Sequence, residues 1–169
     1  FIIGLLIAVV RTIPTDDGTS RFKKILLKCV NFLLSAYVEI IRGTPMMVQL
    51  LIMCFVIFSK SREFTMIGTL TLGINSGAYV AEIIRGGIMS VDPGQMEAGR
   101  AVGLSFFSTM MLIVIPQAIK NILPTLGNEF ITLVKETSIV GFVGATDICV
   151  AFRYIGTNNY EFMVPYLVM

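Results

Sequence analysis

Two groups of polar residues stand at helical spacing inside otherwise apolar sequence. Asn75, Tyr79, Glu82 and Gly86 follow one another at intervals of four, three and four, which puts them on one stripe of a helix. Asn128, Thr132 and Lys135 repeat the four-and-three interval, with Glu129 and Glu136 on a neighbouring face. An ionisable group inside a spanning segment costs about 2.5–3.5 kcal/mol to insert and usually faces a bundle interior or water. Lys135 and Glu136 have the charges to meet the carboxylate and amino group of a zwitterion, and equally the charges to form salt links between helices. Glu82 suits a polar pathway, or a pair with Arg85 three residues on. Arg42, beside Gly43-Thr44-Pro45, reads as an interfacial anchor.

A third constellation lies between apolar runs: Gln95-Met96-Glu97-Ala98-Gly99-Arg100-Ala101-Val102-Gly103, then Ile113-Val114-Ile115-Pro116 after nine intervening residues. It reads as a charged helix start, a glycine that permits a sharp turn, and a short amphipathic helix stopped by proline. Such a polar helix–turn–helix suits docking of a soluble partner, although an ordinary loop between spans has the same look. Other chemistry is thinly supplied. There is no histidine, which removes histidine-based acid–base catalysis, Ser-His-Asp and Cys-His arrangements and His-containing zinc sites. Cys29, Cys54 and Cys149 stand singly in apolar surroundings and read as packing residues, not as a metal or disulfide set.

The elements that must position these residues are membrane helices. Of the 169 residues, 55% are hydrophobic and only 14% charged, against about 25% in soluble domains, and the mean hydropathy is +0.83. The net charge of +2 is too small to argue for nucleic acid. The pattern predicts an all-α polytopic bundle. Residues 1–10 read as the second half of a span whose beginning is absent, and 162–169 as the opening of a further one. Between them come a polar basic connection at 11–28 with a turn at Pro14–Gly18, an amphipathic segment at 25–41 lying near the membrane surface, and a break at 43–45. A span follows from Pro45 to about 58, then a short turn at 59–63, a span at 64–88 rich in small residues, and a polar connection at 90–103 containing the helix-stopping pair Asp92-Pro93. The run 106–115, cut off by Pro116, suits an interfacial helix. The stretch 122–150, interrupted by Pro124, Gly127, Asn128, Glu129, Lys135, Glu136, Gly141, Gly144 and Asp147, must be packed inside protein or line a wet cavity. Six of the thirteen Lys and Arg fall in 11–42 and three in 85–120. The excess of positive charge predicts that both connections are cytoplasmic, with the N-terminus outside and the C-terminus inside.

The spacing of Glu97, Ala98, Gly103, Ile113 and Pro116 resembles the "EAA" loop (about 90–116) of the permease subunits of ATP-binding-cassette importers. The sequence departs from that pattern at Gly99, where the family usually has Ala, and at Ile115, where Leu is usual. Three further blocks resemble the permeases of polar amino-acid importers: Val38–Pro45 with Val48-Gln49-Leu50, Asn75–Ile88, and Gly127–Ile131 with Lys135–Ser138. The resemblance implies a single transmembrane domain over 1–169, incomplete at both ends, from a type I importer permease of about five helices. It implies that Glu97, Ala98, Gly99, Gly103, Ile113 and Pro116 form the coupling loop that meets a cytoplasmic ATPase dimer. Asn75, Tyr79, Glu82, Asn128, Lys135 and Glu136 are candidates for the substrate pathway. Other implied partners are a second permease subunit, identical or homologous, an extracytoplasmic amino-acid-binding protein and membrane lipid. No cofactor is expected on this chain, whose sequence lacks G-x-x-x-x-G-K-[ST]; ATP and magnesium would belong to the ATPase. The competing classes are an ATP-independent secondary transporter or channel, which the protruding Glu97 segment disfavours, and an intramembrane enzyme, for which the spans hold no nucleophile–base pair or clustered acids.

Overall fold

The computed structural model describes residues 1–12 and 21–168, and every described regular element is helical. The predicted turn at Pro14–Gly18 lies outside the described residues. The helices are α1 (Ile2–Thr12), α2 (Arg21–Gly43), α3 (Met46–Ile52), α4 (Phe64–Met89), α5 (Pro93–Ala101), α6 (Phe106–Thr109), α7 (Ile115–Glu136), α8 (Ile148–Asn159) and α9 (Met163–Val168). Two described helical segments are long and apolar enough to cross a membrane, Phe64–Met89 and Phe106–Val143, or three if the helices either side of Thr44-Pro45 count as one broken span.

The chain divides into two compact units, Phe1–Gly43 with Ser76–Phe130 and Thr44–Asn75 with Ile131–Met169; α4 and α7 supply residues to both. In the first unit, Ile7 of α1, Val38 of α2 and Ala78 and Ala81 of α4 form one buried cluster, flanked by Leu34, Tyr37 and Ile41. The backbones come close because the facing residues are small: a methyl group on Gly4 would sit 2.6 Å from the Val80 Cβ and 2.8 Å from the Gly77 carbonyl. Small residues serve this purpose in lipid, where dispersion at short range replaces the hydrophobic drive. A second cluster joins the end of α4 to α7 through Val91, Val114, Ala118 and Ile122, with Ile83, Ile84, Ile88 and Met96 packed against it. In the second unit, Leu50, Cys54, Ile67, Val140, Val143 and Ala145 form the core.

Three expectations are corrected. Met46–Ile57 is only twelve residues, about 18 Å of helix against a hydrocarbon core of about 30 Å, so the run after Pro45 does not cross by itself. Pro116 does not stop a short interfacial helix. The chain stays helical from Phe106 to Val143 because Met110–Val114 widens into a π-turn, closed by the Ile115 N–H on the Met110 carbonyl. The wider turn accommodates a residue that lacks an N–H and crowds the carbonyl four residues back. Nor is 122–150 broken at its first interruptions: α7 carries Pro124 in its interior and runs on to Glu136. The break comes at the tighter 3-10 segment Thr137–Val143, which ends at Gly144 with φ +92°. Most of the apolar surface of this helix is exposed in the single chain, Leu123, Phe130, Ile131 and Val134 among it.

Candidate functional site: a capped elbow and its charged neighbours

The elbow is built by local hydrogen bonding. Asp92-Pro93, expected only to end a helix, also begins one. The Asp92 carboxylate accepts the Gly94 N–H at 2.8 Å, and Pro93 occupies the first helical position, where its missing N–H costs nothing. At the far end of α5 the Gly103 N–H meets the Arg100 carbonyl at 3.0 Å and the Leu104 N–H meets the Gly99 carbonyl at 3.1 Å. These two bonds define a Schellman turn, with Gly103 at φ +90°. Ser105 then caps α6, accepting the Ser108 N–H at 3.1 Å. A turn of two residues between two capped helices fixes their directions.

The elbow is also packed. Gly99 is buried, and a methyl group there would lie 2.3 Å from Thr109 Cγ2 and 3.1 Å from Ile113 Cδ1. The residue that departs from the family's alanine is the one over which the next helix crosses. Thr109 is fully buried, its hydroxyl donating to the Ser105 carbonyl at 2.9 Å. Gln117 Nε2 donates to Gln95 Oε1 at 3.2 Å, and Asn121 Nδ2 donates to Ser90 Oγ at 2.9 Å, so α7 holds the start of the elbow. Glu97 and Ala98 remain exposed, as do Gly103 and Pro116, while Ile113 is half-buried.

The polar stripe of α4 does not form a single line of like function. Glu82 is paired. Arg85 Nε donates to both its oxygens at 3.1 and 3.0 Å, Arg85 Nη2 adds a further ion-pair contact, and Arg11 of α1 reaches Glu82 Oε2 at 3.4 Å. Tyr79 lies beneath the Arg42 guanidinium, 5.4 Å from the ring centre, which ties Arg42 to an aromatic face. Asn75 is buried in the second unit, where its Nδ2 donates to Gln49 Oε1 at 3.0 Å while Gln49 Nε2 donates to the Thr44 carbonyl and hydroxyl. On α7, Asn128 and Lys135 are exposed and Glu136 is half-buried. Lys135 and Glu136 close the α-helix where it tightens into the 3-10 segment that Val140 and Val143 anchor in the core. Among the described residues, neither has an ion-pair partner.

Three partnerships escaped the sequence. The Arg11–Glu82 contact spans 71 positions, and no local pattern announces it. Thr109 beneath Gly99 needed the crossing of two helices. The capping by Asp92 had a readable signal, an Asp-Pro pair ahead of a charged helical run.

A membrane-crossing helical subunit with a stiff, outward-presented polar elbow is the class that this fold and site define. The family model of the "Binding-protein-dependent transport system inner membrane component" matches residues 26–167. The putative glutamine transport system permease protein GlnP of Rickettsia prowazekii is 37% identical over 99% of this chain and 72% of the relative. Its namesake in Rickettsia typhi is 41% identical, over 78% of this chain, and the match covers 62% of that relative's length. The arginine transport system permease protein ArtQ of Bacillus subtilis is 34% identical over 99% and 74%. A solved structure described as "Crystal structure of an amino acid ABC transporter with histidines" superposes with a TM-score of 0.81 at 41% identity, over 99% of this chain and 73% of that one. The chain belongs to the family of binding-protein-dependent inner-membrane transport components, multi-pass helical permeases in which transport, not catalysis, is the family activity.

Proposed function

We propose that this chain forms one half of the translocation pore of an ATP-driven importer of polar amino acids. A cytoplasmic ATPase dimer hydrolyses magnesium-bound ATP, a second permease subunit completes the pore, and an extracytoplasmic binding protein delivers the substrate. The observation that carries the reading is the elbow at 92–105. It is capped at both helices, closed at Gly103 and cross-linked to α7, and it leaves Glu97 and Ala98 uncovered for a partner. With positive charge concentrated at 11–42 and 85–120, this face is the cytoplasmic one, and the N-terminus lies outside.

The substrate pathway is carried best by Lys135 and Glu136, which among the described residues are without ion-pair partners where α7 changes helical type. A zwitterion offers a carboxylate to the first and an ammonium to the second. Glu82, Tyr79 and Asn75 each have a partner of their own and are proposed for the pathway on the resemblance alone. Asn128 lies two turns before Lys135 on α7.

The test is co-expression of the full-length protein with its ATPase in membranes, followed by co-purification and transport-coupled ATP hydrolysis. Gly103→Val puts a β-branched side chain at φ +90° and is expected to abolish coupled hydrolysis while membrane insertion persists. Uptake at the unaltered rate would remove the elbow from the coupling path. Lys135→Met is expected to depress uptake while ATPase capture is retained; equal loss of both would remove Lys135 from the substrate path.

A further inference from the structure

The end of α4 opens onto a recess that the transport reading does not use. Within the first unit, Arg11 and Thr12 of α1, Asn31 and Ser35 of α2, and Arg85 with Met89 of α4 line an open groove of about 320 Å³. Its charge is unbalanced, because the guanidinium groups of Arg11 and Arg85 share one carboxylate, Glu82. Arg85 turns Nη1 to the Met89 thioether at 2.7 Å, a weak acceptor. Arg11 reaches Glu82 through a single nitrogen at 3.4 Å, which among the described residues leaves most of its five N–H donors unspent. Asn31 Oδ1 is buried without a partner among the described residues. Lys28, exposed on the same helix, precedes Asn31 by three residues and so flanks the groove on the same face. Ile88 adds an apolar side chain to the lining, and the same two helices expose Val9 on α1 and Phe32 on α2.

A positive recess with an unused acceptor, set at the end of a spanning helix between helices that also expose apolar side chains, complements the charge and the chains of an anionic phospholipid. We propose that this groove binds the phosphate of an anionic membrane lipid. The phosphate sits against the free edge of Arg11 and the outer nitrogens of Arg85. A hydroxyl of the headgroup meets Asn31 and Ser35, and the acyl chains run along the apolar faces of α1 and α2. Basic recesses between membrane helices are suited to such headgroups. Free phosphate shares the anionic group but has no chains to meet the apolar surface that α1 and α2 expose, which favours the lipid as the source.

The full-length protein, reconstituted in phosphatidylcholine nanodiscs with and without phosphatidylglycerol, provides the test, with inorganic phosphate added to lipid-free detergent samples as a separate arm. Thermal unfolding midpoints and the phosphatidylglycerol retained in native mass spectra are recorded. Phosphatidylglycerol is expected to raise the wild-type midpoint and to stay bound. Arg11→Met is expected to weaken retention roughly tenfold, the loss of one charged hydrogen-bonding group. Ser35→Leu fills the groove without altering charge and is expected to lose retention as well, and it decides the matter alone should Arg11→Met fail to fold. Equal retention by the wild type and Ser35→Leu, or no retention by either, overturns the proposal. A midpoint rise reproduced in full by inorganic phosphate reassigns the groove to a free anion and overturns it too.

Discussion

At the scale of single residues, the elbow depends on one position without a side chain and one with an unusual dihedral. Gly99→Ala would regain up to about 1 kcal/mol of helix propensity, yet its methyl group would meet Thr109 Cγ2 at 2.3 Å. Overpacking of this kind costs about 1–3 kcal/mol, so the substitution is expected to lower stability. Gly99→Ala combined with Thr109→Ala is expected to recover most of the loss, and chemical denaturation of the four proteins in a double-mutant cycle checks it. Glu82 gives a second ranking. Arg85 holds it through several contacts and Arg11 through one, all partly exposed, so Arg85→Gln should cost roughly 1–3 kcal/mol and Arg11→Gln less than 1. Thermal midpoints of the purified full-length variants would show the order, and an inverted order would contradict the geometry.

At the scale of elements, packing in this chain is limited by how closely helix backbones approach. Gly4→Ala places a methyl group 2.6 Å from the Val80 Cβ and 2.8 Å from a backbone oxygen, neither of which can swing aside. The expected cost is about 1–3 kcal/mol, read as loss of the folded fraction in detergent titrations, with no effect predicted for the equivalent change at Gly73, which has open space around it. The sequence disclosed α4 nearly to the residue, because a long apolar run between polar turns has only one reading. The elbow's spacing was legible through its resemblance to the EAA loop, since the residues alone suited an ordinary loop as well. The course of α7 was not legible: Pro116 and Pro124 are local stop signals, and the chain overrides them with a π-turn in one place and an uninterrupted helix in the other. Propensity is local, whereas the cluster of Val114, Ala118 and Ile122 against Val91 is assembled from two separate stretches of sequence and packs the helix on the far side of Pro116.

At the scale of the whole molecule, the surface and the charge distribution determine placement. Large apolar side chains are exposed along α1, α2 and α7, which a bilayer or a second subunit covers at no cost to solvation. A single cysteine introduced at Glu97, in a background with Cys29, Cys54 and Cys149 replaced by alanine, is expected to react with a membrane-impermeant maleimide in inverted vesicles and to resist it in intact cells. Labelling of intact cells would reverse the orientation drawn from the basic connections. The two regions proposed for function also fall on different stretches, the elbow at 92–105 and Lys135-Glu136 some thirty residues on. They are joined by α7 itself, so substitutions at one are expected to leave binding at the other intact while breaking the coupling between them.

The Schellman turn at Gly103 has a mechanical corollary. A Cβ placed on Gly103 would meet nothing within 4 Å, so the turn is held by its two backbone hydrogen bonds and the adjoining Ser105 cap rather than by side chains wedged against that position. The tight packing of α5 lies four residues earlier, where Thr109 and Ile113 cover Gly99, so the joint and the contact that seats it are separate places on the chain.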